Sequence, residues 1–195
     1  MKFLELYSLC SAQAIGDIQF KPSLFPLPFT DPYITCHPWS KGSKNWSRWP
    51  LLLEILHPHL EKKGIKIVQI GGPNEAALPF CHNTAGATTY KQAGFLVQNC
   101  LLHLSTDTWS SHWSSYLQKK LVVLISNNYK ENSTPYHALP DRTVVFEPDR
   151  TKYKPSFAYD DPIDKQIDQI KAEDVAAAVL NLLDGTKLDW PYQSL

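Results

Sequence analysis

The sequence predicts an α/β domain in which helices cover both faces of a doubly wound parallel sheet. Short and largely apolar runs, such as IKIVQI and LVVLI, alternate along the chain with longer segments of helical periodicity. Strands that are apolar on both faces are typical of a parallel sheet buried between two layers of helices. We therefore expect parallel strands that include residues 34–36, 66–70, 101–105 and 121–125.

The segments between these strands predict helices with recognisable starts and stops. WPLLLEILHPHLEKKG has Pro50 in its first turn and Gly64 at its end, and we expect a bend at Pro58, where one backbone hydrogen bond is lost. TTYKQAGFLVQN and WSSHWSSYLQK predict the next two helices. KAEDVAAAVLNLLDG closes the domain as an amphipathic helix.

Residues 1–32 differ in composition from the rest of the chain. Four prolines fall between positions 22 and 32, and each fixes its own backbone and restricts the residue before it. We expect this stretch to be a mostly irregular lead-in or linker. Residues 33–195 are expected to form a single α/β domain, since a chain of 195 residues with 43% hydrophobic content can bury one sizeable core.

The overall composition argues against several classes of function. Nineteen Lys and Arg residues balance nineteen Asp and Glu residues, so the net charge gives no reason to expect a nucleic acid or an acidic membrane as a partner. No stretch approaches the roughly 18 apolar residues needed to span a bilayer. The four cysteines are widely spaced, which favours reduced thiols in a cytoplasmic protein. The Cys and His spacings match no zinc signature, so no metal is expected.

Ligands of open α/β sheets bind beyond the carboxyl ends of the strands, and the loops predicted at that edge carry polar residues of complementary chemistry. Lys44 and Arg48 supply positive charge. Gly71 and Gly72 allow the backbone to approach a ligand closely, and Glu75 can accept hydrogen bonds from hydroxyl groups.

The segment STDTWSSH adds a predicted helix start directly behind a strand. Asp107 and Thr108 fall where the first backbone N–H groups of a helix have no internal partner and its dipole is positive, an arrangement that binds phosphate. Thr88, in an earlier loop, offers both a hydrogen-bond donor and an acceptor. Together these loops predict a site for a diphosphate attached to a sugar.

Three segments between residues 33 and 183 are similar to a known family in their order and spacing. They are YITCHPWSKGSKNWSRWPLLLEILHPHLEKKGIKIVQIGGPNE, GATTYKQAGFLVQNCLLHLSTDTWSSHWSSYLQKKLVVLIS and IKAEDVAAAVLNLL. They resemble the C-terminal half of family 9 glycosyltransferases, the ADP-heptose:lipopolysaccharide heptosyltransferase type. The resemblance implies one half of a GT-B fold, in which two Rossmann-like domains face each other and the second binds the nucleotide-sugar without a metal or other cofactor.

The resemblance also implies roles for individual residues. Asp107, Thr108 and His112 match the family's Asp-Ser/Thr-Gly-x-x-His element at the phosphates. Glu75 matches the acidic residue that faces the ribose, and Thr88 falls near the position that contacts the base.

Two departures from the family pattern bear on activity. Trp109 stands where the family usually has glycine, so a bulky side chain crowds the position nearest the pyrophosphate. The family's acceptor-binding domain, which carries the catalytic base, has no counterpart in the sequence, so no catalytic residue is predicted. The basic residue before the family's Trp-Pro dipeptide matches Arg48, or Lys44 if Trp46 is aligned instead. The partners expected are a nucleotide-sugar and either a separate acceptor-domain polypeptide or further copies of the chain.

Each of these signals also has a plain structural interpretation. Asp107 and Thr108 would equally cap a helix, the IGG turn alone is a weak dinucleotide fingerprint, and the tryptophans are typical of cores and interfaces. Three functions therefore stay open. They are a glycosyltransferase donor-binding domain, a binding module that retains nucleotide-sugar affinity without transfer, and a structural or assembly protein that reuses the fold.

Overall fold

Six strands form one parallel sheet in the computed structural model, which describes residues 2–16, 20–155 and 165–185. The strands are β1 Tyr33–His37, β2 Lys66–Gln69, β3 His82–Asn83, β4 Leu102–Thr106, β5 Lys120–Leu124 and β6 Thr143–Phe146. They lie in the order β3-β2-β1-β4-β5-β6, and every neighbouring pair is parallel. The predicted doubly wound α/β class is thereby confirmed. The order reverses between β1 and β4, so the loops that follow these two strands flank the switch point where such sheets bind ligands.

The helices surround this sheet. They are α1 Phe3–Ser11, α2 Trp49–Lys62, α3 Tyr90–Asn99, α4 Trp109–Tyr116, α5 Lys130–Ser133 and α6 Ala172–Asp184, with 3-10 turns at Gly42–Lys44 and Gln166–Gln169. α2 begins with proline in its first turn as predicted, and it continues past Pro58. α6 ends at Gly185, whose φ of 72° is the left-handed conformation that glycine adopts at helix ends.

The core lies on both faces of the sheet because alternate strand residues point in opposite directions. One face packs against α2 and α6, and its fully buried side chains include Ile34, Leu104, Val122, Leu52 and Val175. The other face packs against α3, and its buried side chains include Val68, Ile70, Ala93, Leu96 and Val97. This double burial explains why the strands read as apolar runs in the sequence.

The N-terminal segment departs from the sequence prediction. Residues 3–11 form α1 rather than an irregular lead-in, because local contacts close both of its ends. The Lys2 backbone N–H donates to Oε2 of Glu5 at 2.8 Å, and Ala12 adopts a left-handed conformation at the other end. Residues 20–32 have no regular structure, as predicted. They pack on the domain, with Phe25, Leu27 and Phe29 against the core and the Ser23 N–H donating to the Lys91 carbonyl. The boundary at residue 33 stays a prediction.

All four cysteines are free: Cys36 and Cys100 are buried, Cys81 is half-buried and Cys10 is exposed. Within the described part of the chain, no helix combines the length and apolar character needed to cross a membrane.

Candidate functional site

The predicted site residues reach the carboxyl edge of the sheet in two separate groups. A cavity of about 430 Å³ follows β2, and we call it the glycine-turn cavity; its lining includes Gly71, Gly72, Glu75, Thr88 and Trp109. A second cavity, of about 490 Å³, is named the Lys44 cavity; its lining includes Lys44, Asp107 and His112. Since Asp107 and Trp109 line different cavities, the first turn of α4 lies between the two.

The glycine turn after β2 exists to let a carboxylate fold back over the backbone. A Cβ atom on Gly71 would lie only 1.9 Å from Oε2 of Glu75, so a larger residue there would displace the Glu75 carboxylate from its present position. The backbone N–H of Gly72 donates to Oε1 of Glu75 at 2.7 Å. Gly71 therefore suits both the turn, where its φ is 155°, and the present position of the Glu75 carboxylate.

Glu75 lines the glycine-turn cavity, and one of its carboxylate oxygens has no donor among the described residues. Its Oε1 accepts from Gly72 and lies 3.5 Å from Nε2 of His37. Its Oε2 is buried and has no hydrogen-bond partner among the described residues. An unpartnered buried carboxylate oxygen is unfavourable, so this oxygen is suited to accept a hydrogen bond from a hydroxyl group of a ligand.

The aromatic rings of Trp109 and Tyr90 form part of the wall of the glycine-turn cavity. The ring of Trp109 lies 5.1 Å from that of Tyr90 and 4.6 Å from that of Trp113, both nearly edge-on, and 5.2 Å from the imidazole of His37. Tyr90 is 68% exposed and also lines the cavity. The crowding expected at Trp109 thus takes the form of a wall of this cavity. Tyr90 was not predicted as a site residue, although an exposed aromatic in the first turn of a helix at this edge is a usable signal.

The Lys44 cavity contains an ion pair. Nζ of Lys44 lies 2.7 Å from Oδ2 of Asp107, and both side chains are partly exposed. A lysine ammonium has three N–H donors, so two remain for a ligand. His112 is exposed near this pair. Loss of hydration to neighbouring protein atoms lowers the pKa of His112, while the Asp107 carboxylate acts in the opposite direction.

The first turn of α4 has backbone N–H groups with no acceptor among the described residues. Thr108 occupies the N-cap position in an extended conformation, yet its side chain makes no capping hydrogen bond. Its carbonyl accepts from the backbone N–H of Ser111, whereas the N–H groups of Trp109 and Ser110 find no acceptor in the described ranges. The hydroxyl of Thr108 is therefore not used as a helix cap, which was the plain alternative for this residue.

Arg48 lies apart from the other predicted site residues. Its Nε donates to the carbonyl of Asp168 at 3.0 Å, so it ties the start of α2 to the 3-10 turn Gln166–Gln169. Arg48 and Thr108 line neither the glycine-turn cavity nor the Lys44 cavity. Of the two basic residues between which the sequence left the choice, Lys44 is the one that reaches a cavity.

A buried series of hydrogen-bonded side chains, which no sequence pattern predicted, runs from the sheet to Glu75. Oγ1 of Thr35 lies 2.8 Å from Nδ1 of His103, and Nε2 of His103 lies 2.8 Å from Oγ of Ser110. The same Ser110 oxygen lies 2.9 Å from Nδ1 of His37, which faces Glu75. Burial, followed by the nearby His37, lowers the pKa of His103 to about 3, so His103 is neutral at physiological pH.

The hydrogen bonds of this series can all be directed from Thr35 toward the Glu75 carboxylate. When each ring carries one proton, the Thr35 hydroxyl donates to His103, and His103 donates to Ser110. The Ser110 hydroxyl then donates to His37, whose remaining N–H faces Glu75. Each donor in the series is then directed at an acceptor. The series holds the His37 ring against Glu75 and thereby helps to keep the Glu75 carboxylate in its position.

No cluster suited to a metal ion accompanies these groups. Within residues 2–16, 20–155 and 165–185, no group of three or more His, Cys, Asp or Glu side chains is placed to hold a metal. Independence from a metal or other cofactor stays a prediction.

Comparison with known proteins identifies similar folds. No family model and no curated protein sequence matches the chain. Among solved structures, a glycosyl transferase family 9 protein from Veillonella parvula is 18% identical, with a TM-score of 0.61 over 82% of this chain and 48% of the other. E. coli ADP-heptose LPS heptosyltransferase II is also 18% identical, with a TM-score of 0.59 over 78% of this chain and 46% of the other.

A third similar structure was solved with a ligand. It is the dodecameric iron-containing heptosyltransferase TibC in complex with ADP-D-β-D-heptose, which is 14% identical, with a TM-score of 0.60 over 80% of this chain and 46% of the other. The chain therefore spans about half the length of the solved structures it matches. Its α/β fold is the Rossmann-like fold found in family 9 heptosyltransferases, as the resemblance in the sequence implied.

Proposed function

We propose that the chain is the donor-binding half of a heptosyltransferase-like glycosyltransferase and holds a nucleoside-diphosphate sugar at the switch point of the sheet. The observation that carries this proposal is Glu75. Its carboxylate is bent back over the Gly71 turn, and its Oε2 has no partner among the described residues. In nucleotide-binding α/β domains an acidic residue in this region accepts a hydrogen bond from a ribose hydroxyl.

The glycine-turn cavity suits the nucleoside. Its volume of about 430 Å³ lies within the range of small-ligand sites. The rings of Trp109 and Tyr90 offer apolar surface against which a base can pack, while Glu75 accepts from the ribose. The aromatic lining therefore favours the base, and the Glu75 carboxylate favours the sugar of the nucleoside.

The first turn of α4 suits the diphosphate. The N–H groups of Trp109 and Ser110 are free of acceptors in the described ranges, and the helix dipole is positive at this end. Lys44 adds two N–H donors beyond the one that it gives to Asp107. Asp107 offsets part of the lysine charge, so the helix N–H groups and Lys44 have to act together to bind an anion.

Calorimetric titration of ADP and UDP into the wild type and into Glu75→Gln tests the proposal. The glutamine amide can keep the hydrogen bond to Gly72, but it replaces the charged acceptor. We expect wild-type binding and a loss of roughly tenfold to a hundredfold in the affinity of Glu75→Gln, because hydrogen bonds to charged groups are worth about 1.5–3 kcal/mol. If neither ADP nor UDP gives a heat of binding with the wild type, nucleotide binding is contradicted. The remaining function is then the structural or assembly role.

Replacing Lys44 by alanine is expected to weaken nucleoside-diphosphate binding by roughly tenfold to more than a hundredfold. The change removes charge-assisted donors and also leaves the Asp107 carboxylate uncompensated beside the phosphates. Lys41→Ala is the matched control, since Lys41 is exposed on the same loop and lines neither cavity. Equal affinities for the Lys44→Ala and Lys41→Ala proteins contradict the placement of the diphosphate. Titration of ADP into the three proteins gives these affinities.

The purified chain alone is expected not to transfer sugar. It spans about half the length of the heptosyltransferases that it matches, and a transfer site has to position an acceptor and exclude water. The measurement is release of nucleoside diphosphate from a panel of ADP-, UDP-, GDP- and CDP-sugars in the presence of acceptor saccharides. Turnover at about one per second or faster, typical of enzymes, contradicts this expectation. Binding without transfer agrees with a separate acceptor-domain polypeptide or with a module that only binds.

A further inference from the structure

Two cysteine thiols, Cys36 and Cys81, contact each other near the candidate site, and the proposed function gives neither of them a role. Their Sγ atoms are 3.8 Å apart, within hydrogen-bond range for sulfur. Cys36 is fully buried in β1, whereas Cys81 is half-buried directly before β3. Two thiols in contact, one of them reachable from solvent, are an arrangement that oxidation converts into a disulfide.

Hydrogen bonds from β2 explain why the two thiols meet. Cys36 is aligned with Gln69 of the neighbouring strand β2. Nε2 of Gln69 donates to the carbonyl of Ala76 at 2.9 Å, and its Oε1 accepts from the N–H of Leu78 at 2.8 Å. These bonds hold residues 71–81, which we call the Glu75 segment, against β2 and within reach of β1.

The Glu75 segment can adjust far enough for the bond to form. A disulfide joins its sulfurs at about 2.05 Å, so the two sulfurs have to approach by roughly 1.8 Å. Between β2 and β3 the chain has neither helix nor strand, so no ladder of hydrogen bonds opposes backbone rotation there. Cys36 lies in a strand that is paired on both sides. Cys81 is therefore the residue that moves.

The two thiols differ in reactivity. The contact with Cys81 raises the pKa of Cys36 well above its ordinary value, and burial and the nearby Glu75 carboxylate act in the same direction. Cys36 therefore stays a thiol, which is a weak nucleophile toward an oxidant. Cys81 is partly exposed, so a small oxidant can reach its sulfur first.

We propose that Cys36 and Cys81 form a reversible disulfide when the protein meets hydrogen peroxide, and that this bond ties the Glu75 segment to β1. The inference goes beyond the proposed function, since it does not depend on nucleotide binding. It concerns a covalent modification site within the same fold.

The reaction has two steps. In the first, the Cys81 thiol loses its proton and its sulfur attacks a peroxide oxygen; an S–O bond forms, the O–O bond breaks, and the departing hydroxide takes up the proton as water. In the second, the sulfur of Cys36 attacks the sulfenic acid of Cys81; the S–S bond forms, the S–O bond breaks, and the departing hydroxide takes the Cys36 proton. Two thiols are oxidised, and one peroxide is reduced to two water molecules.

The bond would join the two elements that set the position of Glu75. Cys36 directly precedes His37, whose Nε2 lies 3.5 Å from Oε1 of Glu75. Cys81 ends the segment that carries Glu75 itself. Oxidation therefore acts on the position of the carboxylate relative to the imidazole that faces it.

Peptide mapping of the full chain tests the proposal. Trypsin does not cleave before Pro22, which would leave Cys10 and Cys36 in one peptide, so the mapping uses the Cys10→Ser chain. After treatment with hydrogen peroxide, unfolding and alkylation of free thiols, we expect a peptide pair joined through Cys36 and Cys81 that dithiothreitol separates. Alkylation of both thiols, or a disulfide from either of them to Cys100, overturns the proposal.

Two variants of the Cys10→Ser chain are the controls. Cys81→Ser removes the exposed partner and should leave Cys36 free for alkylation after peroxide treatment. Cys100→Ser removes a buried thiol that contacts Thr35, and it should keep the disulfide. Oxidation of Cys81 to a sulfinic acid without a bond to Cys36 also overturns the proposal.

Thermal unfolding of the oxidised and reduced chains tests the tether. A disulfide between residues 36 and 81 restricts the unfolded chain, so the oxidised protein should unfold at a midpoint roughly 4–8 °C higher, the lower part of the range for disulfides because the sulfurs have to move. Dithiothreitol should remove the difference, and Cys81→Ser should show none. A disulfide that forms without raising the midpoint shows that the Glu75 segment is not fixed to β1.

Discussion

Lowering the pH from 7 to 5 is expected to reduce the free energy of unfolding by about 2 kcal/mol through His103 alone. The pKa of His103 is about 3 in the folded protein against an ordinary value of 6.5, because the ring is buried. Between these values the unfolded chain binds a proton that the folded protein excludes. The stability contributed by His103 is therefore complete above about pH 6.5 and is lost as the pH falls toward 3.

Urea unfolding at pH 7, 6 and 5 measures this dependence. His103→Gln retains an amide that can hydrogen bond to Thr35 and Ser110, but it cannot take up a proton, so its stability should change less across the same interval. His59→Gln, at an exposed histidine, is the matched control and should keep the wild-type slope. If the free energy of unfolding changes with pH equally in the wild type and in His103→Gln, the pH dependence does not come from His103.

Replacing Trp109 by glycine is expected to destabilise the protein by about 3 kcal/mol, the lower end of the range for large aromatic side chains, because Trp109 is only half-buried. The change removes ring contacts with His37, Tyr90 and Trp113 and adds backbone freedom at the start of α4. It should also weaken ADP binding, since the glycine-turn cavity loses one wall.

Trp109→Phe is the control for this prediction because it retains an aromatic ring at the wall of the cavity. It should lie between the glycine variant and the wild type in both stability and affinity. Thermal unfolding and calorimetric titration with ADP give the two quantities. Tighter ADP binding by Trp109→Gly contradicts the assigned role and identifies the indole as an obstruction.

The sheet could be predicted from sequence because its strands are buried on both faces and therefore stand out as apolar runs. β3 was missed because two residues, His82 and Asn83, carry no such pattern. α1 was missed because its local capping contacts, and not an apolar stripe, define it. In both cases the information lies in backbone contacts that composition does not report.

The location of the candidate site could be predicted from sequence, but the directions of its side chains could not. The rule that ligands bind beyond the carboxyl ends of strands brought Lys44, Glu75 and Asp107 to one edge. The direction of each side chain depends on distant partners, and Arg48 turns to the carbonyl of Asp168, 120 positions away in the sequence. The division into two cavities follows from such contacts and has no signature in the sequence.

The hydrogen-bonded side chains at the centre of the sheet also disfavour other alignments of its two central strands. Thr35 is paired with His103 by the alignment of β1 with β4. Slippage of one of these strands by one position would turn its side chains to the opposite face and leave buried imidazole and hydroxyl groups without partners. Apolar strands alone tolerate such shifts more readily. The residues that brace Glu75 therefore also select a single alignment of the two central strands, so the accuracy of folding and the geometry of the candidate site depend on the same hydrogen bonds.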